Sequence, residues 1–131
     1  MFVLHPQLEK DTLFVAELAL CRVLLMNNKL FPWLILVPRV EGAREIIDFP
    51  AQAQHVLIDE IARVSHVMQA LFAPDKLNVA ALGNQVEQLH VHVIARYRSD
   101  VAWPHPVWGK GGEAYGDAQG LIKQLKQALP A

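Results

Sequence analysis

The sequence has little of what marks disulfide-stabilised or membrane-spanning proteins. It contains one cysteine, Cys21, so no disulfide can form within the chain, and this thiol lies in an apolar stretch. No apolar run approaches the ~18 residues of a membrane span. The first residues, 1–4, lack the basic side chains that open a secretory signal. We therefore expect a cytoplasmic protein.

An excess of charge of one sign is also missing. Lys and Arg number 12 and Asp and Glu 13, which gives a formal net charge of -1. A nearly neutral chain has no long-range field to draw it onto a polyphosphate backbone or an anionic membrane. We expect neither extended nucleic acid nor a membrane as a partner.

Hydrophobic residues, in contrast, are abundant. They make up 53% of the 131 residues and charged residues only 19%, a balance typical of a folded chain. A chain of this length can bury roughly two-thirds of its unfolded surface around one core. Because the sequence contains no repeat or interdomain linker, we expect a single domain over residues 1–131.

Hydrophobic periodicity predicts five strands. Short apolar, β-branched or aromatic runs are typical of strands. These runs occupy residues 12–18, 21–26, 33–37, 76–82 and 88–96. The third run is continuously apolar, which indicates a strand covered on both faces.

Two helices are predicted around the last two strands. Apolar residues recur at steps of three and four from an N-cap at Asp48 to the residue before Pro74, which predicts one long helix. Glu60 and Arg63 fall outside this apolar stripe, and we expect them to face solvent. A weaker repeat predicts a short helix within residues 121–129. The fold class is therefore α+β, an antiparallel sheet of about five strands with the long helix on one face.

A row of polar groups lies on the last predicted strand. Side chains alternate along a strand, so every second residue from Leu89 faces the core. The other face carries Gln88, His90 and His92, about 6.6 Å apart in successive steps. Such a row can hold a phosphate and react with it. Two surface histidines without a function, or two ligands of a metal ion, would give the same pattern, although the sequence offers few further metal ligands.

The surrounding sequence resembles the signature of the histidine-triad (HIT) superfamily. Residues 83–94 read Gly-Asn-Gln-Val-Glu-Gln-Leu-His-Val-His-Val-Ile. The family has Gly-Gln-Ser/Thr-Val, one further residue, and then three histidines that are each followed by an apolar residue. The resemblance extends upstream to Leu77-Asn78, to Asn27 and to the segment 30–38. It covers a motif core over residues 11–96 and leaves 97–131 as a C-terminal tail. It implies a HIT-like fold and a homodimer that binds a small-molecule nucleotide without a cofactor or a metal.

The resemblance also implies roles for individual residues. His90 matches the histidine that attacks the α-phosphorus of a nucleotide and forms a nucleotidyl-histidine, which water then hydrolyses. His92 matches the histidine that donates a hydrogen bond to the scissile or leaving-group oxygen, a proton-transfer and charge-stabilising role. Positions that contact ribose and phosphate in the family fall on Asn27, Asn78, Gly83, Asn84 and Gln85. Asparagine is also an ordinary turn residue.

Two positions depart from the family pattern. The first histidine of the triad reads Gln88, and the family's Pro-Gly-His on an earlier strand reads Pro32-Trp33-Leu34, so Leu34 replaces a supporting histidine. Glutamine can hydrogen-bond to a phosphate but cannot carry a proton or a positive charge.

Three functions consequently stay open. The first is a hydrolase or transferase that acts on a dinucleoside polyphosphate, such as diadenosine tetraphosphate, or on a nucleoside phosphoramidate. The second is a nucleotide-binding module with little or no turnover. The third is a metal-dependent enzyme that uses His90 and His92.

Two tryptophans in the tail have two interpretations. Trp103 and Trp108 flank a pair of prolines, which exclude a regular helix or central strand. These rings would close over a nucleobase, in their own site or in a partner's, or they would cover the core beneath a long connection.

Overall fold

Five strands form one antiparallel sheet. The computed structural model describes residues 1–130, and Ala131, the last residue of the predicted domain, lies outside this range. The strands are β1 (Thr12–Glu17), β2 (Cys21–Met26), β3 (Trp33–Pro38), β4 (Lys76–Ala80) and β5 (Val91–Arg96). Their spatial order is β1-β2-β3-β5-β4, and every neighbouring pair is antiparallel. The predicted α+β fold is confirmed.

Three α-helices accompany the sheet in residues 1–130. They are α1 (Pro6–Asp11), α2 (Ala51–Phe72) and α3 (Gln119–Ala128). The long helix and the C-terminal helix were predicted, whereas α1 was not, because six residues are too few to show a helical period. No helix in the described residues is both long and apolar enough to cross a membrane.

The predicted N-cap of the long helix is wrong by two positions, since the N-cap is Pro50. Asp48 ends a short 3-10 helix, Ile46–Asp48, and its carboxylate accepts hydrogen bonds from the backbone N–H groups of Arg44 and Glu45. The α-helix itself starts after Pro50. Asp48 therefore caps the turn before α2 rather than α2 itself.

The sheet is covered on both faces. One face packs against the apolar stripe of α2 (Leu57, Ile61, Val64, Met68) and against Leu125 of α3. The opposite face is covered by residues of the N-terminal segment and the tail, namely Leu8, Ala102 and Val107. All six residues of β3 and all six of β5 are consequently buried.

The last strand is shorter than predicted. It begins at Val91, so Gln88 and His90 lie in the segment that leads into it. The neighbouring strand β3 ends at Pro38, which has no N–H to continue a ladder. The N–H of Leu89 instead donates to the carbonyl of Ala43, outside the sheet.

The expectation that Glu60 faces solvent is wrong. The residue is 3% exposed, and its two carboxylate oxygens accept the backbone N–H groups of Leu20 and Cys21, each at 2.8 Å. A buried carboxylate is tolerated here because each oxygen has a backbone donor. Burial, and secondly Glu60, raises the pKa of the Cys21 thiol, which keeps it protonated. Glu60 thus ties the β1–β2 turn to the middle of α2.

Replacing Glu60 by Ala should lower the free energy of unfolding by about 2–3 kcal/mol, because it leaves backbone donors without their charged acceptor. Urea denaturation measures the change. Asp59→Ala is the matched control: it removes an exposed carboxylate from the adjacent position of α2 and should cost less than about 0.5 kcal/mol. Equal losses in the two variants would contradict the role of Glu60.

Candidate functional site

A cleft of about 430 Å³ opens on the sheet face opposite α2, beside the start of β5. Its volume is typical of a small-molecule site. The walls come from α1, from the loop that follows β4, from the two histidines and from the tail. The main lining residues are Gln7, Leu8, Asp11, Met26, Leu82, Gly83, Asn84, Gln85, Val86, His90, His92 and Trp108.

Five of the predicted site residues meet in this cleft. They are Gly83, Asn84, Gln85, His90 and His92. Gly83 adopts a φ of 81°, in the left-handed region that favours glycine, and it allows the loop to turn toward the histidines.

Asn27 and Asn78 are not among the lining residues, and their side chains hold other parts of the protein. The side-chain oxygen of Asn27 accepts the backbone N–H of Tyr115 in the tail at 2.9 Å. That of Asn78 accepts a guanidinium N–H of the buried Arg96, also at 2.9 Å. Contact of either residue with a nucleotide stays a prediction.

Gln88 fastens the N-terminal segment. Its side-chain oxygen accepts the N–H of His5 at 2.8 Å, and its amide nitrogen donates to the carbonyl of Val3 at 2.8 Å. Helix α1 follows immediately and supplies one wall of the cleft. Gln88 therefore contacts a wall of the site rather than its interior.

His90 presents a free lone pair. Its Nδ1 lies 2.7 Å from the backbone carbonyl oxygen of Gln88. A carbonyl oxygen can only accept a hydrogen bond, so Nδ1 carries the proton of the neutral ring. Nε2 is then the unprotonated nitrogen, which is the form that a nucleophile requires.

His92 has the opposite tautomer. The indole N–H of Trp33 donates to Nδ1 of His92 at 3.0 Å. Because an indole only donates, this Nδ1 must be unprotonated, and the neutral ring carries its hydrogen on Nε2. Burial, and secondly the charge of a protonated His90, lowers the pKa of His92 from 6.5 to about 4. Near neutral pH, His92 is an uncharged hydrogen-bond donor.

The two rings lie together with their free nitrogens accessible. Their centroids are 4.9 Å apart at an interplanar angle of 74°. Within residues 1–130 the hydrogen bonds of these rings use Nδ1 only, and no buried polar side-chain atom lacks a partner. Both Nε2 atoms are therefore open to the cleft. The pair offers a lone pair and an N–H donor at one place.

Cationic side chains are absent from the cleft walls that residues 1–130 form. The lining includes the carboxylate of Asp11 but no Lys or Arg. Nor does the described chain contain a group of three His, Cys, Asp or Glu side chains that could hold a metal ion. A bound phosphate would depend on hydrogen-bond donors, such as the amides of Asn84 and Gln85.

The two tail tryptophans lie in different places. Trp108 lines the cleft and packs edge-on against His92, with ring centroids 5.0 Å apart. Trp103 lies over the guanidinium of Arg96, with 5.8 Å between that group's central carbon and the ring centroid. Trp108 is thus placed where it could contact a nucleobase, whereas Trp103 covers buried residues beneath the tail.

Trp33 and the wall formed by α1 were missed in the sequence. The apolar pattern assigned Trp33 only to a buried strand. Its indole N–H, a donor within an otherwise aliphatic run, was the feature that could have indicated a polar partner. Such a donor needs a partner when it is buried, and that partner is His92. The contribution of α1 had no comparable signal.

Replacing Gln88 by Ala should loosen the N-terminal segment, because both of its bonds to this segment are lost. We expect the backbone amide of His5 to exchange its hydrogen about ten-fold faster, measured by NMR. Gln85→Ala is the matched control, since it removes an exposed cleft glutamine that is not the hydrogen-bond partner of His5 or Val3. Unchanged exchange at His5 in Gln88→Ala would refute the anchoring role.

The lowered pKa of His92 predicts a pH-dependent stability. As the pH falls from 6.5 towards about 4, the unfolded ring binds a proton and the folded ring does not, so the free energy of unfolding should decrease, by on the order of 3 kcal/mol. His92→Gln keeps an acceptor for Trp33 but does not titrate, so its free energy of unfolding should not show this decrease. Denaturation curves at several pH values test this, and identical pH dependence in both proteins would contradict it.

Comparisons with known proteins support one family. The HIT domain family matches residues 7–99. A histidine triad protein from Marinobacter aquaeolei VT8 is 49% identical, with 98% of this chain and 96% of that one covered and a TM-score of 0.94. A histidine triad protein from Bradyrhizobium japonicum is 46% identical, with 97% of each chain covered and a TM-score of 0.93.

A third solved structure agrees with these two. A histidine triad (HIT) protein from Sinorhizobium meliloti 1021 is 37% identical, with 98% of this chain and 97% of that one covered and a TM-score of 0.94. The comparison with curated proteins gives no match. The family match and the three solved relatives establish that this chain belongs to the HIT domain family.

Proposed function

We propose that the protein is a nucleotide-binding hydrolase or transferase that acts at a nucleotide α-phosphorus through a nucleotidyl-histidine on His90. The observation that carries this proposal is the pair of Nδ1 contacts in one cleft, from His90 to a carbonyl oxygen and from an indole N–H to His92, which favour an Nε2 lone pair on His90 beside an Nε2–H on His92. Membership of the HIT domain family supports a nucleotide as the ligand. Dinucleoside polyphosphates, such as diadenosine tetraphosphate, and nucleoside phosphoramidates are the candidate substrates.

The cleft offers separate surfaces for the two parts of a nucleotide. Leu8, Met26, Val86 and Trp108 provide apolar contacts, and Trp108 suits the flat face of a base. The phosphate would lie at the histidines and the amide groups of Asn84 and Gln85, next to Trp108, whose ring centroid is 5.0 Å from that of His92. This arrangement would bring the α-phosphorus to His90.

His90 would form the covalent bond. Its Nε2 attacks phosphorus, and the ring becomes positively charged because Nδ1 keeps its proton. The carbonyl oxygen of Gln88, at 2.7 Å from Nδ1, stabilises that charge. Water then displaces the histidine and releases a nucleoside monophosphate. Gln88 contributes to this step through its backbone, and its side chain holds the wall formed by α1.

A nucleotide-binding module with little turnover is the second candidate. It is favoured by the lack of Lys and Arg in the cleft lining. Arg44, which lines an adjoining pocket together with His90, is paired with Glu87, so hydrogen-bond donors would have to offset most of the charge that builds up on several phosphates. This candidate predicts nucleotide binding without a covalent intermediate.

Replacing His90 by Ala separates the two candidates. For an enzyme, turnover of an adenosine dinucleotide should fall by about three orders of magnitude or more, because the proposed covalent bond forms on His90. The affinity for AMP, measured by calorimetry, should change only a few-fold, by about 1 kcal/mol or less.

Two further measurements complete this test. His55→Ala, which removes an exposed histidine on α2, should keep full activity. Acid-quenched mass spectrometry should detect a nucleotidylated wild-type protein and none in His90→Ala. If wild-type protein binds AMP but turns over no nucleotide substrate, the binding module takes the place of the enzyme.

A further inference from the structure

The strongest unassigned feature is the hydrogen bond between Trp33 and His92. Both residues are 4% exposed, and the donor and acceptor atoms are 3.0 Å apart. The two rings also pack edge-on, with centroids 5.6 Å apart, and Trp108 packs against both. A buried indole N–H with one partner fixes both the orientation of that partner and its tautomer.

We propose that Trp33 is a positioning residue that keeps His92 as the neutral Nε2–H tautomer, so that His92 stabilises the leaving group by a hydrogen bond without giving up its proton. The inference rests on the proposed function. It narrows the substrates to nucleotides whose leaving group departs as an anion, such as phosphoanhydrides and aryl esters, and it disfavours phosphoramidates of alkyl amines.

Full proton transfer from His92 is unfavourable in this geometry. If Nε2 lost its proton while Nδ1 accepted from Trp33, the ring would become an imidazolate, a far stronger base than a phosphate or phenolate leaving group. To give up a proton and end as a neutral ring, His92 would first need a second proton on Nδ1. That proton would face the indole N–H, another donor, in a buried place.

The reaction balances without a proton from His92. The lone pair of Nε2 on His90 forms the phosphorus–nitrogen bond, and the phosphorus–oxygen bond breaks with its electron pair on the leaving oxygen. In the second step a water oxygen bonds to phosphorus, the electron pair of the phosphorus–nitrogen bond returns to His90, and the proton from water passes to the anion or to solvent. An alkyl amine, in contrast, must gain a proton to leave, and this pair of histidines supplies none.

A leaving-group series in the wild-type protein tests the substrate class. Aryl esters of AMP with phenols from p-nitrophenol to phenol share one nucleoside and differ in leaving-group basicity. We expect kcat/KM, which reports the departure of the leaving group, to fall by about 100-fold or more across the series, since no proton offsets the rising basicity. The butylamine phosphoramidate of AMP should react more slowly still. A response of less than about three-fold, or a phosphoramidate as fast as the phenyl ester, would overturn this part.

Nitrogen-15 NMR of the imidazole rings tests the role of Trp33 independently of activity. In the wild type at pH 7, His92 should show a protonated Nε2 and an unprotonated Nδ1. Trp33→Phe keeps an aromatic ring but removes the donor, so His92 should become a mixture of tautomers, and kcat/KM for the p-nitrophenyl ester should fall on the order of ten-fold.

Trp108→Phe is the matched control. It alters a ring that also packs on His92 but donates no hydrogen bond to it, so the tautomer should not change. A wild-type His92 that is protonated on Nδ1 overturns the role of Trp33, even if Trp33→Phe fails to fold. Absence of turnover with every ester and anhydride overturns the proposed function and the substrate class together, while the wild-type spectrum still decides the role of Trp33.

Discussion

The burial of β3 and β5 on both faces is the constraint on which the site depends. Helix α2 covers one face, whereas the N-terminal segment and the tail cover the other. His92 lies at the edge of this second layer, where water is largely excluded, and its ring is therefore neutral. The same burial obliges the indole N–H of Trp33 to find an acceptor. One packing arrangement thus sets both the charge and the tautomer of His92.

Apart from α1, the second layer is irregular, and polar side chains hold it in place. Gln88 binds the segment before α1, and Asn27 binds the tail at Tyr115. Farther along, Arg96 donates to both carboxylate oxygens of Asp100, and this pairing lowers the pKa of Asp100 to about 2. Asp100 also accepts the N–H groups that begin the turn leading to Trp108. Hydrogen bonds therefore fix the cleft walls that come from the N-terminal segment and the tail, together with the apolar packing of Leu8, Ala102 and Val107.

Periodicity in the sequence predicted the strands and the long helix, because each depends on neighbours within a few residues, and the family motif singled out the two histidines. It could not predict that Glu60 is buried, since its donors lie on a turn about forty residues earlier. The hydrogen-bond partners of Gln88 and His92 could not be predicted for the same reason. These partners, the N-terminal backbone and Trp33, are distant in sequence. The hydrophobic pattern of the sequence therefore does not show which distant residue a polar side chain will bind.

A neutral His92 beside the nucleophile His90 suits a cleft whose lining has no Lys or Arg. A protonated His92 beside the nucleophile would raise the cost of the positive charge that His90 acquires in the proposed reaction, because like charges at this separation repel in a buried place. A neutral donor avoids that repulsion and still offers a hydrogen bond to the leaving group. The carbonyl of Gln88 then faces the only ring that becomes charged. Under the proposed reaction, charge develops on His90 and on the leaving group, and each has a fixed dipole directed at it before the substrate arrives.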